Sequence, residues 1–198
     1  VNRAGLNATM YNSFLDGTKS AIEMVCVSNM TGLVPDIRGM HFPPVPTPAI
    51  PSVLCPKEDG GILSRKGVVE VVSSMYHDGR AVADDLRWGV YVVITSDSPY
   101  LRNAMKEYGV ATDTRGRYGL LYRPYHFVGM ETPLSIANVM LRKEPTGCPN
   151  RAPSSEVVAY AKRSLAPGDV IDGEGGFMIY GLAERNSVAV LDKLVPMG

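Results

Sequence analysis

The chain has 198 residues, of which 45% are hydrophobic and 20% charged, and its 20 basic and 20 acidic residues leave no net charge. This balance argues against nucleic acid or an anionic membrane as a partner, since either usually requires a basic patch. No apolar run approaches the ~20 residues of a membrane span, and three scattered cysteines indicate reduced thiols. We therefore expect a cytoplasmic protein with one good-sized domain, or a domain plus a small module.

The first predicted element is a helix over residues 8–28, with apolar residues along one side. Its opposite side carries a polar stripe: Asn12, Asp16, Lys19 and Glu23. One interpretation is a solvated face, with ion pairs worth ~0.2–0.5 kcal/mol each. The other is a reactive cluster, because Tyr11 and Leu15 flank the stripe and Gly17 is costly in mid-helix. The spacing alone leaves both interpretations open.

The next segments alternate between loops, strands and helices. The proline-rich stretch 31–56 predicts an ordered, extended wrap. The β-branched runs 68–75 and 89–95 predict strands, and SDSPYLRNAMKEYG predicts a helix with Pro99 in its first turn and Gly109 at its end. Short strands or extended segments follow at 118–122 and 127–130. A further helix begins at ETPLSIANVMLRK, with Thr132 as its expected N-cap.

The loop YRPYHFVGMETP gathers Arg123, Tyr125, His126 and Glu131. Arginine is suited to bidentate capture of a carboxylate or phosphate, and histidine exchanges protons near neutral pH. The alternative is a surface arginine beside a histidine bonded to backbone. His41 and His77 lack metal-ligand spacing, so we interpret both as ordinary residues and predict no metal site.

The polar, proline-rich stretch RKEPTGCPNRAPSS predicts a domain boundary. Residues 1–144 would form an α+β domain, with a mixed sheet covered by helices, and residues 153–198 a small, possibly incomplete β-rich module. No GxGxxG follows a strand, so the dinucleotide-binding fingerprint is absent from this sequence.

The stretches NRAGLNATMYNSFLDGTKSAIEM, LVPDIRGMHFPP, YRPYHFVGMETPLSIANVMLR and VVAYAKRSLAPGDVIDGEGGF resemble one family. This family consists of NAD(P)-dependent oxidoreductases that are similar to homoserine dehydrogenase and carry an SAF domain. It includes bacterial enzymes of isoprenoid synthesis that are similar to deoxyxylulose-phosphate reductoisomerase. The resemblance implies that a Rossmann domain preceding Val1 binds NAD or NADP. It also implies that 1–144 is a substrate-binding and dimerisation domain, that 153–198 is a truncated SAF module, and that the isolated fragment is inactive.

The resemblance also implies roles for individual residues. Lys19 would polarise a substrate carbonyl or shuttle its proton, and Asp16 would set the protonation of Lys19. The expected substrate-binding residues are Asn12, Glu23, Arg123, His126 and Glu131. The family usually spaces its carboxylate and lysine four residues apart, whereas Asp16 and Lys19 are three apart.

We therefore predict the catalytic fragment of an oxidoreductase that acts on a small hydroxy or keto compound, with phosphorylated compounds among the candidates, and that forms a homodimer. The alternative is a non-catalytic SAF-type module that binds carbohydrate or protein. A third interpretation is a structural dimerisation domain whose polar stripe is only surface. The sequence does not distinguish NAD from NADP or establish a metal requirement.

Overall fold

The computed structural model describes residues 5, 7–127, 129–149 and 152–197, which adopt the predicted α+β fold. The chain divides into two compact units. Unit 1 contains the described residues of three segments: Val1–His41, Gly67–Val71 and Gly147–Gly198. Unit 2 contains those of two segments: Phe42–Lys66 and Val72–Thr146. Both chain ends thus contribute to unit 1.

The helices in chain order are α1 (Ala8–Leu15), α2 (Thr18–Thr31), α3 (Ile50–Val53), α4 (Pro99–Glu107), α5 (Thr132–Ala137) and α6 (Asn186–Leu191). The strands are β1 (Val34–Pro35), β2 (Val68–Val69), β3 (Val90–Thr95), β4 (Ala111–Thr112), β5 (Tyr118–Arg123), β6 (Ser155–Ala161) and β7 (Ile179–Arg185). Short 3-10 helices span Thr47–Ala49 and Lys57–Asp59, and a π-helix spans Asn138–Arg142. Instead of one mixed sheet, the described strands form three small sheets: parallel β1–β2, antiparallel β3–β5–β4 and antiparallel β6–β7.

The β6–β7 ribbon and helix α2 form the centre of unit 1. The ribbon is paired from Ser155–Arg185 to Ala161–Ile179, and Val158 and Ala183 are fully buried in it. Helix α2 packs on both strands and also buries Ser28. The Ser28 hydroxyl lies 2.6 Å from the Ser155 hydroxyl, which satisfies two buried polar groups.

The predicted single helix over residues 8–28 is wrong, because the chain forms two helices separated at Asp16 and Gly17. Gly17 has a φ of 84°, a left-handed conformation that glycine adopts without the steric cost of a Cβ atom. The helical spacing assumed for the polar stripe is therefore interrupted within the stripe itself. A second left-handed glycine, Gly32, ends α2.

The proline-rich stretch 31–56 is ordered, as predicted, and includes β1, a 3-10 turn and α3, with Ile50 fully buried. The predicted strand 68–75 is limited to β2. Its ladder ends at Val69, and the carboxylate of the next residue, Glu70, accepts the backbone N–H of Val71 at 2.9 Å. That hydrogen bond replaces a strand partner for this N–H.

Unit 2 is built on the β3–β5–β4 sheet. Strands β3 and β5 and helix α4 confirm the predicted elements, and Ser98 caps α4 by accepting from the N–H of Leu101. Helix α5 begins where predicted, although Glu131 and not Thr132 occupies the N-cap. Phe127 and residues 129–130 lie outside the strands, and residue 128 of that predicted strand lies outside the described residues.

The residues predicted to form a separate module, 153–198, supply β6, β7 and α6. These elements belong to the same compact unit as α1 and α2, so the structural division of the chain differs from the predicted boundary. Their assignment to an SAF module stays a prediction. Among the described residues, no helix combines the length and apolar character needed to cross a bilayer.

Candidate functional site

Asp16 lies at the C-terminal end of α1 and is paired with a lysine distant in sequence. Lys162, which follows β6, donates from Nζ to Asp16 Oδ2 at 2.6 Å and to the Gly176 carbonyl at 2.6 Å. The other Asp16 oxygen accepts the N–H of Thr18 at 3.0 Å. Burial raises the pKa of Asp16, but the hydrogen bonds from Lys162 and Thr18 outweigh it and hold the pKa below the ordinary value of 3.8. Asp16 is therefore an ionised carboxylate at neutral pH.

The remaining residues of the predicted stripe separate into two places. Asn12 donates from Nδ2 to the Gly175 carbonyl at 2.8 Å, next to the Asp16–Lys162 pair. Lys19 and Glu23 instead form an exposed ion pair on α2, with Nζ and Oε1 3.9 Å apart. The structure thus brings Asn12 and Asp16 to the glycine-rich loop 173–176, and it places Lys19 beside Glu23.

The glycine-rich loop packs tightly against α1. A Cβ atom on Gly175 would lie 1.9 Å from the Thr9 carbonyl oxygen, so only glycine fits this approach. Lys162 and this loop share the phrase AKRSLAPGDVIDGEGG in the sequence. Sequence reasoning missed Lys162 because no helical or strand spacing relates residues that are 146 positions apart.

The predicted substrate-binding residues of unit 2 form a second group. Arg123 Nη2 lies 2.6 Å from Glu131 Oε1, and the Arg123 guanidinium lies 4.6 Å from the centre of the Tyr125 ring. The N–H of Phe127 donates to Glu131 Oε2 at 2.9 Å. This backbone hydrogen bond, followed by the Arg123 contacts, lowers the pKa of Glu131. The carboxylate and the guanidinium therefore already neutralise one another.

His126 is bonded to backbone. Its Nδ1 lies 2.7 Å from the Trp88 carbonyl oxygen, which also accepts the His126 backbone N–H at 2.8 Å. Because a carbonyl oxygen can only accept, Nδ1 carries the hydrogen and Nε2 is left with its lone pair in the neutral ring. The structure places His126 as an anchor for the Trp88 backbone.

A third group, in unit 1, centres on a histidine that the sequence interpretation set aside. His41 Nδ1 lies 2.7 Å from Glu70 Oε2, and the His41 backbone N–H donates to the same carboxylate at 2.9 Å and 3.0 Å. The Glu70 side chain is only 3% exposed, and that of His41 is 19% exposed. Since the carboxylate accepts from Nδ1, this nitrogen carries a hydrogen and the ring is fixed in orientation.

The other nitrogen of this imidazole faces a second carboxylate. His41 Nε2 lies 3.9 Å from Asp36 Oδ2, which is too long for a hydrogen bond but close enough for electrostatic attraction. The Asp36 side chain is 1% exposed. Nε2 is thus oriented and lies near a buried carboxyl group, and among the described residues it has no hydrogen-bond partner, so it can bond to a ligand.

The backbone around His41 is held in an uncommon conformation. Met40 and Phe42 have φ values of 65° and 48°, in the left-handed region that side chains with a Cβ atom rarely adopt. Gly39 anchors the turn through its N–H, which donates to the Ala183 carbonyl of β7 at 2.8 Å. Backbone strain of this kind costs about 1–3 kcal/mol per residue and is concentrated at functional sites.

The His41–Glu70 pair has the arrangement of an oriented acid–base group. A carboxylate fixes one imidazole nitrogen, and the other nitrogen can take or give a proton to a bound molecule. No local spacing indicates the pair, because Glu70 is 29 positions from His41 and lies in a run that predicts a strand. Within the described ranges, no three His, Cys, Asp or Glu side chains are arranged to hold a metal ion.

No curated protein matches the chain. A family model described as "Oxidoreductase DRL, catalytic domain" matches residues 1–132. The matched region contains the oriented histidine with both of its carboxylates, and Asp16, while Lys162 lies outside it. Because the match covers 132 of 198 residues, the chain belongs to this family of oxidoreductase catalytic domains.

Proposed function

We propose that this chain provides the catalytic domain of an NAD(P)-dependent oxidoreductase for a small hydroxy or keto compound, of the homoserine-dehydrogenase-like or reductoisomerase-like kind. Phosphorylated compounds are included in the substrate class. The oxidoreductase family supports the redox chemistry. The observation that carries the catalytic part is the His41 imidazole, fixed by Glu70 at 2.7 Å with Nε2 left for a ligand.

His41 would move the proton of the reaction. Interconversion of a hydroxyl and a carbonyl transfers one proton at the substrate oxygen, whatever group exchanges the hydride. In the reductive direction, protonated His41 donates from Nε2 to the forming alkoxide, and the imidazole is left neutral. Glu70 keeps the ring in place, and Asp36, 3.9 Å from Nε2, stabilises the imidazolium before the transfer.

The described residues do not include the phosphate-binding unit that a dinucleotide usually requires. They contain no strand, glycine-rich turn and helix in the βαβ order that binds a pyrophosphate, since the parallel strands β1 and β2 have two residues each. We propose that NAD or NADP is bound mainly by another part of the complete enzyme. The residues of this chain orient the substrate and transfer its proton.

The other predicted site residues have supporting roles in this proposal. Asn12, Asp16 and Lys162 fix the glycine-rich loop against α1. Arg123 could receive an anionic substrate group only in exchange for Glu131, because the two are 2.6 Å apart. Catalysis by Lys19 and substrate binding by Glu23, Arg123, His126 and Glu131 stay predictions.

We also propose a homodimer. In unit 2, α5 and the π-helix expose a group of large apolar side chains: Leu134, Ile136, Val139, Met140 and Leu141. Contiguous exposed apolar surface of this kind is typical of a protein–protein interface. Sedimentation velocity of the protein should give the mass of two chains, and a single-chain mass at micromolar concentration would contradict the proposal.

The catalytic assignment is tested with His41→Gln, which keeps a polar side chain but removes the proton-transfer group. We expect kcat to fall by ~10²–10⁴-fold, as loss of a general acid–base group typically does. The assay uses the complete enzyme, including the part that binds the cofactor, and follows the reduced nicotinamide with small hydroxy and keto compounds and their phosphates; the kinetic tests in the Discussion use the same enzyme. His77→Gln is the matched control, because His77 is an exposed histidine. A His41→Gln enzyme that folds normally and keeps kcat within about threefold of wild type would refute the role of His41.

A further inference from the structure

Unit 2 contains a cavity of about 420 Å³ that belongs to none of the groups described above. Its walls come from the 3-10 turn at Thr47, the loop 84–88, and the sheet. Leu120 and Tyr122 of β5 point to the same side of the sheet, because alternate residues of a strand share one face. The volume lies within the ~300–1,000 Å³ typical of small-molecule sites.

The cavity walls are fixed by hydrogen bonds within unit 2. The N–H and hydroxyl of Thr47 both donate to the Asp84 carbonyl, at 2.8 Å and 2.7 Å. Arg87 donates from its backbone and from Nη2 to the two oxygens of Asp85, at 3.0 Å and 2.9 Å. Asp84 itself has a φ of 52°, an uncommon conformation for a residue with a side chain. A pre-formed wall of this kind lowers the entropic cost of binding.

Two aromatic rings line this cavity and remain accessible. Trp88 is 68% exposed and Tyr122 is 51% exposed, although large aromatic side chains are usually buried. The Trp88 backbone is fixed because His126 donates two hydrogen bonds to its carbonyl oxygen. The cavity therefore has two accessible aromatic side chains in its lining, beside the charged pair of Arg87 and Asp85.

We propose that this cavity binds a planar nitrogen heteroaromatic ring, such as a nucleobase or a nicotinamide ring. Aromatic side chains stack on such rings through their faces, and the Arg87–Asp85 pair offers a donor and acceptors to ring nitrogens or an exocyclic amide. An aliphatic ligand would gain only apolar burial from these walls. The proposal does not depend on His41, because it concerns ligand binding in unit 2.

The chain provides its own reporter, because Trp88 is its single tryptophan. Emission excited on the red edge of the indole band is followed while AMP, nicotinamide mononucleotide or ribose 5-phosphate is added to the 198-residue chain. We expect saturable quenching by at least one of the two aromatic probes and none by ribose 5-phosphate. The tighter of the two aromatic probes identifies the preferred ring.

Tyr122→Leu removes one aromatic wall and keeps an apolar strand residue. We expect it to weaken the binding of the aromatic probe at least tenfold, while the matched control Tyr108→Leu, at an exposed tyrosine outside the cavity, leaves it unchanged. Linear, unsaturable quenching by both aromatic probes would overturn the proposal, as would equal affinity in the Tyr122→Leu chain. If Tyr122→Leu does not fold, Trp88→Leu is compared with wild type by titration calorimetry, and unchanged binding would overturn the proposal.

Discussion

The Asp16–Lys162 pair and the His41–Glu70 pair both join a carboxylate to a basic side chain within unit 1. In the first pair, the lysine donates to Asp16 and to the Gly176 carbonyl, so the contacts hold one part of the fold against another. In the second pair, the carboxylate takes one imidazole nitrogen and leaves the other 3.9 Å from Asp36. The Asp16–Lys162 pair is therefore the structural one. The His41 imidazole is suited to chemistry, because its Nε2 makes no hydrogen bond with the described residues.

The difference shows what a reactive group requires. The Asp16–Lys162 contact at 2.6 Å stabilises the folded state, and the ammonium group and both carboxylate oxygens are engaged with groups of the protein itself. A group that exchanges a proton with substrate must be oriented by one partner and still have an atom available. The four predictions below test this distinction, beginning with the largest expected effect.

The first change is Glu70→Gln, which keeps the side-chain shape and removes the charge. We expect kcat to fall by ~10²–10⁴-fold, because an amide can bind the wrong imidazole tautomer and no longer stabilises the imidazolium. Steady-state kinetics and the pH profile of kcat measure the effect. Glu156→Gln is the matched control, since Glu156 also accepts the N–H of the following residue, Val157. If Glu70→Gln and Glu156→Gln had equal activity, the His41–Glu70 pair would have no catalytic role that sets it apart from the Asp16–Lys162 pair.

The second change is Lys162→Met, which keeps the length of the side chain and removes its ammonium group. We expect a loss of ~1.5–3 kcal/mol in the free energy of unfolding, because Asp16 would remain charged in a largely buried position. Urea unfolding measures it, with Lys57→Met at an exposed lysine as control. The folded variant should keep kcat within about threefold of wild type, and a loss near that expected for His41→Gln would make Lys162 catalytic.

The third prediction concerns pH and Asp16. Its pKa is lower in the folded chain than the ordinary 3.8, so the stabilisation is fully present above that ordinary value and is lost as pH falls through the lowered pKa. We expect the free energy of unfolding, measured with urea from neutral pH down to about pH 2, to fall less with decreasing pH in Asp16→Asn than in the wild-type chain. Identical pH dependence of the two chains would show that the pair contributes no such stabilisation.

The smallest effect is expected for Lys19→Ala. The exposed Lys19–Glu23 pair should contribute no more than ~0.5 kcal/mol to stability, and under the His41 proposal kcat stays within about threefold. The sequence-based assignment of Lys19 requires the opposite, a loss of ~10²-fold or more. Kinetics of this one variant, with Lys57→Ala at an exposed lysine as control, therefore separate the two assignments.

Local signals were sufficient for part of the fold. Helix α4 follows from Pro99 in the first turn, and β3 follows from its β-branched run. Gly17 was noticed as costly in a helix interior, but its actual position is the break between two helices, which spacing alone does not show. The sequence therefore predicted most element types and mislocated several ends.

The candidate site depends on distant pairs, which a single sequence does not reveal. The sequence points to Asp16, but its partner is Lys162 and not Lys19, because α1 ends before Gly17 and Lys162, which follows β6, lies beside that helix end. His41 was set aside for lack of metal-ligand spacing, while its actual partner, Glu70, lies in a run that predicts a strand. In both cases the partner residue is distant in the sequence and is brought close only by the folded structure.

The joining of α2 to the β6–β7 ribbon has a consequence for synthesis of the chain. Ser28 and Ser155 are 127 positions apart, so the partner of the α2 inner face is translated long after α2 itself. During that interval, Ala21 and Val25 lack the strands that bury them in the finished unit. Unit 1 therefore has high contact order and must complete its folding late, whereas unit 2 has all its segments between Phe42 and Thr146 and can fold first on the ribosome.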